Sequence, residues 1–104
     1  MKLISVATLA SLAILTAGKV YAADETALAT SKNCLTCHAV DKKVVGPAYK
    51  EIAAKYKGDG AAAGKLAAKV KAGGKGVWGE MPMPPNNVTD DEASRLVAWI
   101  LAQK

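Results

Sequence analysis

The stretch Asn33-Cys34-Leu35-Thr36-Cys37-His38 constrains this chain more than any other. It gathers both cysteines and the single histidine of a 104-residue sequence into five consecutive positions. Four chemistries use two cysteines at this spacing. Structural zinc needs about four ligands, and this set stops at three. A dithiol redox pair sits in a βαβ setting, which the sequence lacks. A disulfide here would close so small a loop that it restrains little of the unfolded chain, and it leaves His38 without a purpose. Covalent haem attachment uses every member of the set. Each thiol adds across one vinyl group, and the two-residue spacer lets both sulfurs reach one edge of a flat ring. His38 then follows as an axial ligand of the iron.

The start of the chain indicates the compartment. Lys2 precedes fifteen mostly apolar residues, Leu3 to Ala17, and the segment ends at Val20-Tyr21-Ala22. This is the pattern of a secretory signal. The competing reading, a membrane anchor, needs roughly 20 apolar residues. Cleavage is expected after Ala22, so that residues 1–22 are removed and residues 23–104 form one exported, periplasmic domain with no stable membrane insertion. Removing 22 residues leaves 82, close to the lower limit for a self-sufficient core. With no Phe and only two Trp, large apolar volume is scarce, and a bound cofactor would help fill the middle. Lys2 and Lys19 leave with the signal, taking the net charge from +5 to +3. A surface this mildly basic suits acidic patches on a partner protein and argues against nucleic acid.

The remaining chain reads as four short helices separated by Gly- and Pro-marked loops. The first runs from about Asp24 to Lys32 with Ala27, Leu28 and Ser31 on one face. The second opens with Pro47 at a first helical position and spaces Ala48, Ile52 and Tyr56 four apart. The third, Ala61 to Ala72, carries Leu66 and Val70 on one stripe and stops at Gly73-Gly74. The fourth starts from the capping-box pattern Thr89-Asp90-Asp91-Glu92, followed by Ala93, Leu96, Val97, Ile100 and Leu101 at amphipathic spacing. No alternating strand pattern occurs.

Between the third and fourth helices, residues 76–88 place three prolines in four positions around Met83. Such a loop is stiff and cannot become helix. Because His38 is the only histidine, a second imidazole ligand from the same chain is impossible, and the exported chain offers two methionines, Met81 and Met83. Methionine is ordinarily core filler. In a polar, rigid loop of a chain with no other sixth ligand, a thioether bond to iron is the expectation. His and Met ligation raises the reduction potential and suits an electron carrier rather than an enzyme. The alternative is a haem protein with an open or labile sixth site for small ligands or peroxide.

Taken together, Cys34 to Val40, Val44 to Tyr56, Gly76 to Asn86 and Asp90 to Lys104 resemble the small bacterial class I cytochromes c of the cytochrome c-551/c-552 type. The resemblance implies an all-α cytochrome c domain of four short helices around one covalently attached haem c. It implies Cys34 and Cys37 as thioether residues, with His38 and Met83 as axial ligands. Pro47 is implied as carbonyl acceptor for the ligand imidazole, Asn86 as a hydrogen-bond donor near the methionine sulfur, and Trp78 as indole donor to a haem propionate. Lys69 falls where relatives carry Arg against a propionate, and a lysine there is a point charge rather than a fork. A docking rim of Leu35, Val44, Met81, Pro82 and Pro84 is implied, with Lys32, Lys43, Lys50 and Lys55 around it. The implied role is a monomeric carrier between redox proteins such as a nitrite reductase, terminal oxidase, cytochrome peroxidase or quinol-oxidising complex.

Overall fold

A computed structural model describes residues 23–104. The expected signal, residues 1–22, lies outside them. Four helices are present, α1 (Thr26–Ser31), α2 (Tyr49–Lys55), α3 (Ala62–Ala72) and α4 (Asp90–Leu101), with a 3-10 turn at Cys34–Thr36. No strand occurs among the described residues, and two isolated bridges, His38 with Lys43 and Gly74 with Met83, pin loops rather than build a sheet. No helix among them is long and apolar enough to cross a membrane.

α4 is the spine on which α1, α2 and α3 pack. Its start follows from the sequence. The Thr89 hydroxyl accepts from the Glu92 amide at 3.1 Å, and the Glu92 carboxylate accepts from the Thr89 amide at 3.0 Å. Both halves of the capping box satisfy donors that a helix end otherwise leaves orphaned. Ala93, Leu96, Val97 and Ile100 are buried as their spacing requires, and Trp99 joins them. Trp99 meets Tyr49 of α2 edge to face, with centroids 5.3 Å apart. These residues, with Ala29, Ile52 and Val88, form the core.

α1 differs from its expected face. Ala27 and Ser31 are exposed and Leu28 is half-buried, while Ala29 and Glu25 turn inward. The cause is a partner 70 positions away: Arg95 donates to both carboxylate oxygens of Glu25, at 3.1 and 3.0 Å. A bidentate fork of this kind satisfies a carboxylate that is almost wholly buried. α2 also begins later than expected. Ala48, extended at φ −62° and ψ 145°, is its N-cap, so Pro47 precedes the helix instead of opening it. The first two amides of α2 are satisfied by the chain behind the cysteine motif, Tyr49 by the Ala39 carbonyl and Lys50 by that of Val40. α3 ends at Gly73, whose φ of +74° favours glycine.

Thr89→Ala is expected to lower unfolding free energy by about 1 kcal/mol, read by denaturant titration. The Thr89 amide holds the Glu92 carboxyl below the ordinary value of 4.5. Stability from that depression is present above 4.5 and is lost as pH falls through the lower folded value. Glu92→Gln should therefore flatten the acid limb of stability against pH while leaving its slope near neutrality unchanged.

Candidate cofactor site

The groups that orient His38 lie between Cys34 and Tyr49, in the fold's first loop and the start of α2. The 3-10 turn closes with the Cys37 and His38 amides donating to the Cys34 carbonyl, at 3.2 and 3.0 Å. The Cys37 carbonyl then accepts from Val45 and Gly46, at 3.1 and 2.7 Å, folding the loop back over the motif. Gly46 passes so close to His38 that a Cβ there would sit 2.5 Å from the imidazole Cε1. One residue on, the Pro47 carbonyl lies 2.7 Å from His38 Nδ1. A carbonyl only accepts, so Nδ1 carries the proton and Nε2 keeps its lone pair for a metal. Tyr49 stacks on the imidazole with centroids 5.3 Å apart and planes 24° apart. Burial, with Cys34 alongside, pushes the Tyr49 phenol well above its ordinary value, so it stays neutral.

The opposite wall is the proline-rich loop. Met83 exchanges both bridge hydrogen bonds with Gly74, 2.8 and 3.0 Å. Gly73 makes this approach possible, since a Cβ there would lie 2.5 Å from the Met83 carbonyl. Asn86 donates its amide to the Val70 carbonyl at 2.8 Å and to that of Pro84 at 3.2 Å, lashing the loop to α3. The expected donation toward a methionine sulfur would be an alternative use of the same two hydrogens. Met83 is half-buried, whereas Met81 is 69 % exposed.

Between these walls runs an open cleft of about 210 Å³, floored by Leu96, Val97 and Ile100 of α4. Cys34, Cys37, His38, Pro47, Trp78, Met83 and Asn86 all line it, so every site residue read from the sequence converges on one space. Both cysteine sulfurs are half-buried and are not joined to each other. Among the described residues no three His, Cys, Asp or Glu side chains gather as a bare metal centre. The donor set instead fits a broad, flat, apolar group: two sulfurs at one edge, an oriented imidazole on one wall and a thioether on the other. Lys69 and Lys75 also line the cleft, and Lys55 Nζ lies 5.6 Å from the Trp78 ring centroid. Sequence reasoning missed Tyr49 as the ring that backs the imidazole and Gly46 as the space for it. The one local signal was Gly46-Pro47-Ala48, small residues and a fixed φ beside a candidate ligand loop.

A helical domain with a C-x-x-C-H turn and these two walls is a c-type haem protein. The sequence matches the cytochrome c family model over residues 22–104. It is 51 % identical over 105 residues to cytochrome c-552 of Nitrosomonas europaea, covering 100 % of both chains. It is 52 % identical over 84 residues to cytochrome c-551 of Pseudomonas aeruginosa, covering 81 % of each. The structure is similar to that of wild-type Nitrosomonas europaea cytochrome c552, with a TM-score of 0.73, 56 % identity, and coverage of 75 % of this chain and 98 % of that one. The chain belongs to the cytochrome c family, and its cofactor is one covalently attached haem c with its iron.

Gly46→Ala should force the imidazole or the loop aside. The expected outcome is a loss of about 1–3 kcal/mol of stability in the haem-loaded protein. Faster hydrogen exchange at His38 Nδ1 should accompany it, measured by NMR.

Proposed function

We propose that this cytochrome c is a diffusible one-electron carrier of the periplasm, with Cys34 and Cys37 as thioether residues and His38 and Met83 as axial ligands. The observation that carries the reading is the His38 Nδ1–Pro47 hydrogen bond of 2.7 Å, facing a half-buried Met83 across the same cleft. The haem supplies reversible one-electron chemistry at its iron. The chain's contribution is to keep ligand geometry constant between the two oxidation states. Pro47 fixes the plane of the imidazole and raises its basicity. Gly74 and Asn86 hold the loop that carries Met83. Trp78 and Lys69 both line the cleft, and in this reading the indole N–H, and less specifically the lysine ammonium, would serve the propionates.

The periplasmic assignment rests on the signal-like residues 1–22 and on a C-x-x-C-H turn of the kind loaded outside the cytoplasm. Its partners are redox proteins, and the role is transfer of electrons between them rather than catalysis on a substrate. Acidic patches on those partners suit the net charge of +3 that remains beyond residue 22. Met81, 69 % exposed, supplies apolar contact at the cleft rim beside Pro82 and Pro84.

Met83→Ala is expected to abolish the weak far-red absorption band of iron–thioether coordination and to lower the reduction potential. Met81→Ala should leave both unchanged. A band that survives Met83→Ala and vanishes in Met81→Ala would reassign the ligand. A wild-type protein that lacks the band and binds carbon monoxide readily would replace the carrier reading with an open-site haem protein.

A further inference from the structure

Lys55, the last residue of α2, belongs by sequence to the docking rim with Lys32, Lys43 and Lys50. The structure separates it from two of them. Lys32 pairs with Glu92 at 3.7 Å and Lys50 with Asp41 at 2.6 Å. Lys55 has no carboxylate partner among the described residues. Its ammonium instead lies 5.6 Å from the centroid of Trp78 and 5.9 Å from that of Tyr56, within range of a cation–π contact to both rings.

Trp78 needs such a contact. It sits in a turn between Gly76 and Gly79, at φ +107° and +117°, closed by the Gly76 amide donating to the Gly79 carbonyl at 2.9 Å. The ring is 41 % exposed, and no other aromatic ring stacks on it among the described residues. Two glycines allow this turn many conformations, so the backbone alone does not fix the indole. Lys55 ties it to the end of α2. A cation on the ring face leaves the in-plane N–H unobstructed and draws electron density from the ring, which strengthens that N–H as a donor.

We propose that Lys55 is a positioning residue: its ammonium clamps Trp78 against the end of α2 and so holds the indole N–H on the haem propionate. The proposal rests on the reading of Trp78 as the propionate donor. It moves Lys55 out of the docking charge and into the apparatus that sets how firmly the cofactor's charged edge is held. Guanidinium stacks on indole at least as well as ammonium, so arginine at this position would preserve the clamp.

The test is indole N–H exchange in the haem-loaded protein, followed by NMR for Trp78 and Trp99 together. Trp78 is expected to be protected in the wild type and to exchange about two- to fivefold faster in Lys55→Gln, the factor that corresponds to an exposed cation–π contact. Lys55→Arg should restore the wild-type rate, and Trp99 should not change in either variant. A protected Trp78 whose rate is the same in Lys55→Gln overturns the clamp alone, and a changed salt dependence of electron transfer in that variant would then return Lys55 to the docking rim. Equal acceleration of Trp99 also overturns it, by showing general loosening. A wild-type Trp78 as unprotected as free indole overturns both the clamp and the donor reading beneath it.

Discussion

The hydrogen bond from His38 to the Pro47 carbonyl is the joint on which the site depends, and the segment from Cys37 to Tyr49 is arranged to make it. Proline fixes φ and lacks an N–H, so Pro47 gives the backbone a stiff corner whose carbonyl has no helical duty. The extended Ala48 delays α2 until Tyr49, which keeps that carbonyl free. Gly46 supplies the space that the imidazole occupies. Tyr49 then covers the ring from α2, and Trp99 backs Tyr49 from α4. Four consecutive residues, Gly46 to Tyr49, thus serve one side chain nine positions upstream of Pro47. The orientation of the imidazole is inherited from the core itself.

The chain is small enough that its cofactor site and its core are one object. Leu96, Val97 and Ile100 are buried in α4 and also floor the cleft. A sequence without Phe has few large side chains to close such a cleft, and a domain the size of residues 23–104 has little other core to offset a void. A covalently held planar group resolves both shortages. It adds apolar surface to the interior, and its attachment prevents loss of the group when the domain breathes. The same economy explains the stiff loop: with few side chains to pack against, Met83 is held by backbone pairing and by the Asn86 amide.

What the sequence made legible was whatever depends on neighbours in the chain. The C-x-x-C-H turn, the capping box at Thr89, the stop at Gly73 and the apolar stripe of α4 are all local, and each lies where its pattern placed it. The misreadings are non-local. The face of α1 is set by Arg95, and no periodicity within six helical residues can report a partner 70 positions away. Pro47 fits the first turn of a helix equally well on sequence grounds. Only the demand of His38 for an acceptor moves the start of α2 past it. Tyr49 and Trp99 gave no signal because a single aromatic residue in a helix marks burial without naming what it packs against.

Two chemically identical thioethers separated by one proline raise the question of how a fold distinguishes them. Composition offers no answer, since Met81 and Met83 share a side chain and a loop. The distinction is made by the backbone. Met83 pairs both its amide and its carbonyl with Gly74, at the end of α3. That pairing depends on Gly73, because any side chain there would collide with the Met83 carbonyl. Met81 lies beyond the bridge and remains largely in solvent. A half-buried Met83 whose backbone is already pinned has less freedom left to lose if its sulfur is the one bound, whereas an exposed Met81 would have to give up backbone and rotamer freedom together. On the proposed ligation, the preference for Met83 over Met81 would be written in a glycine ten residues upstream of it.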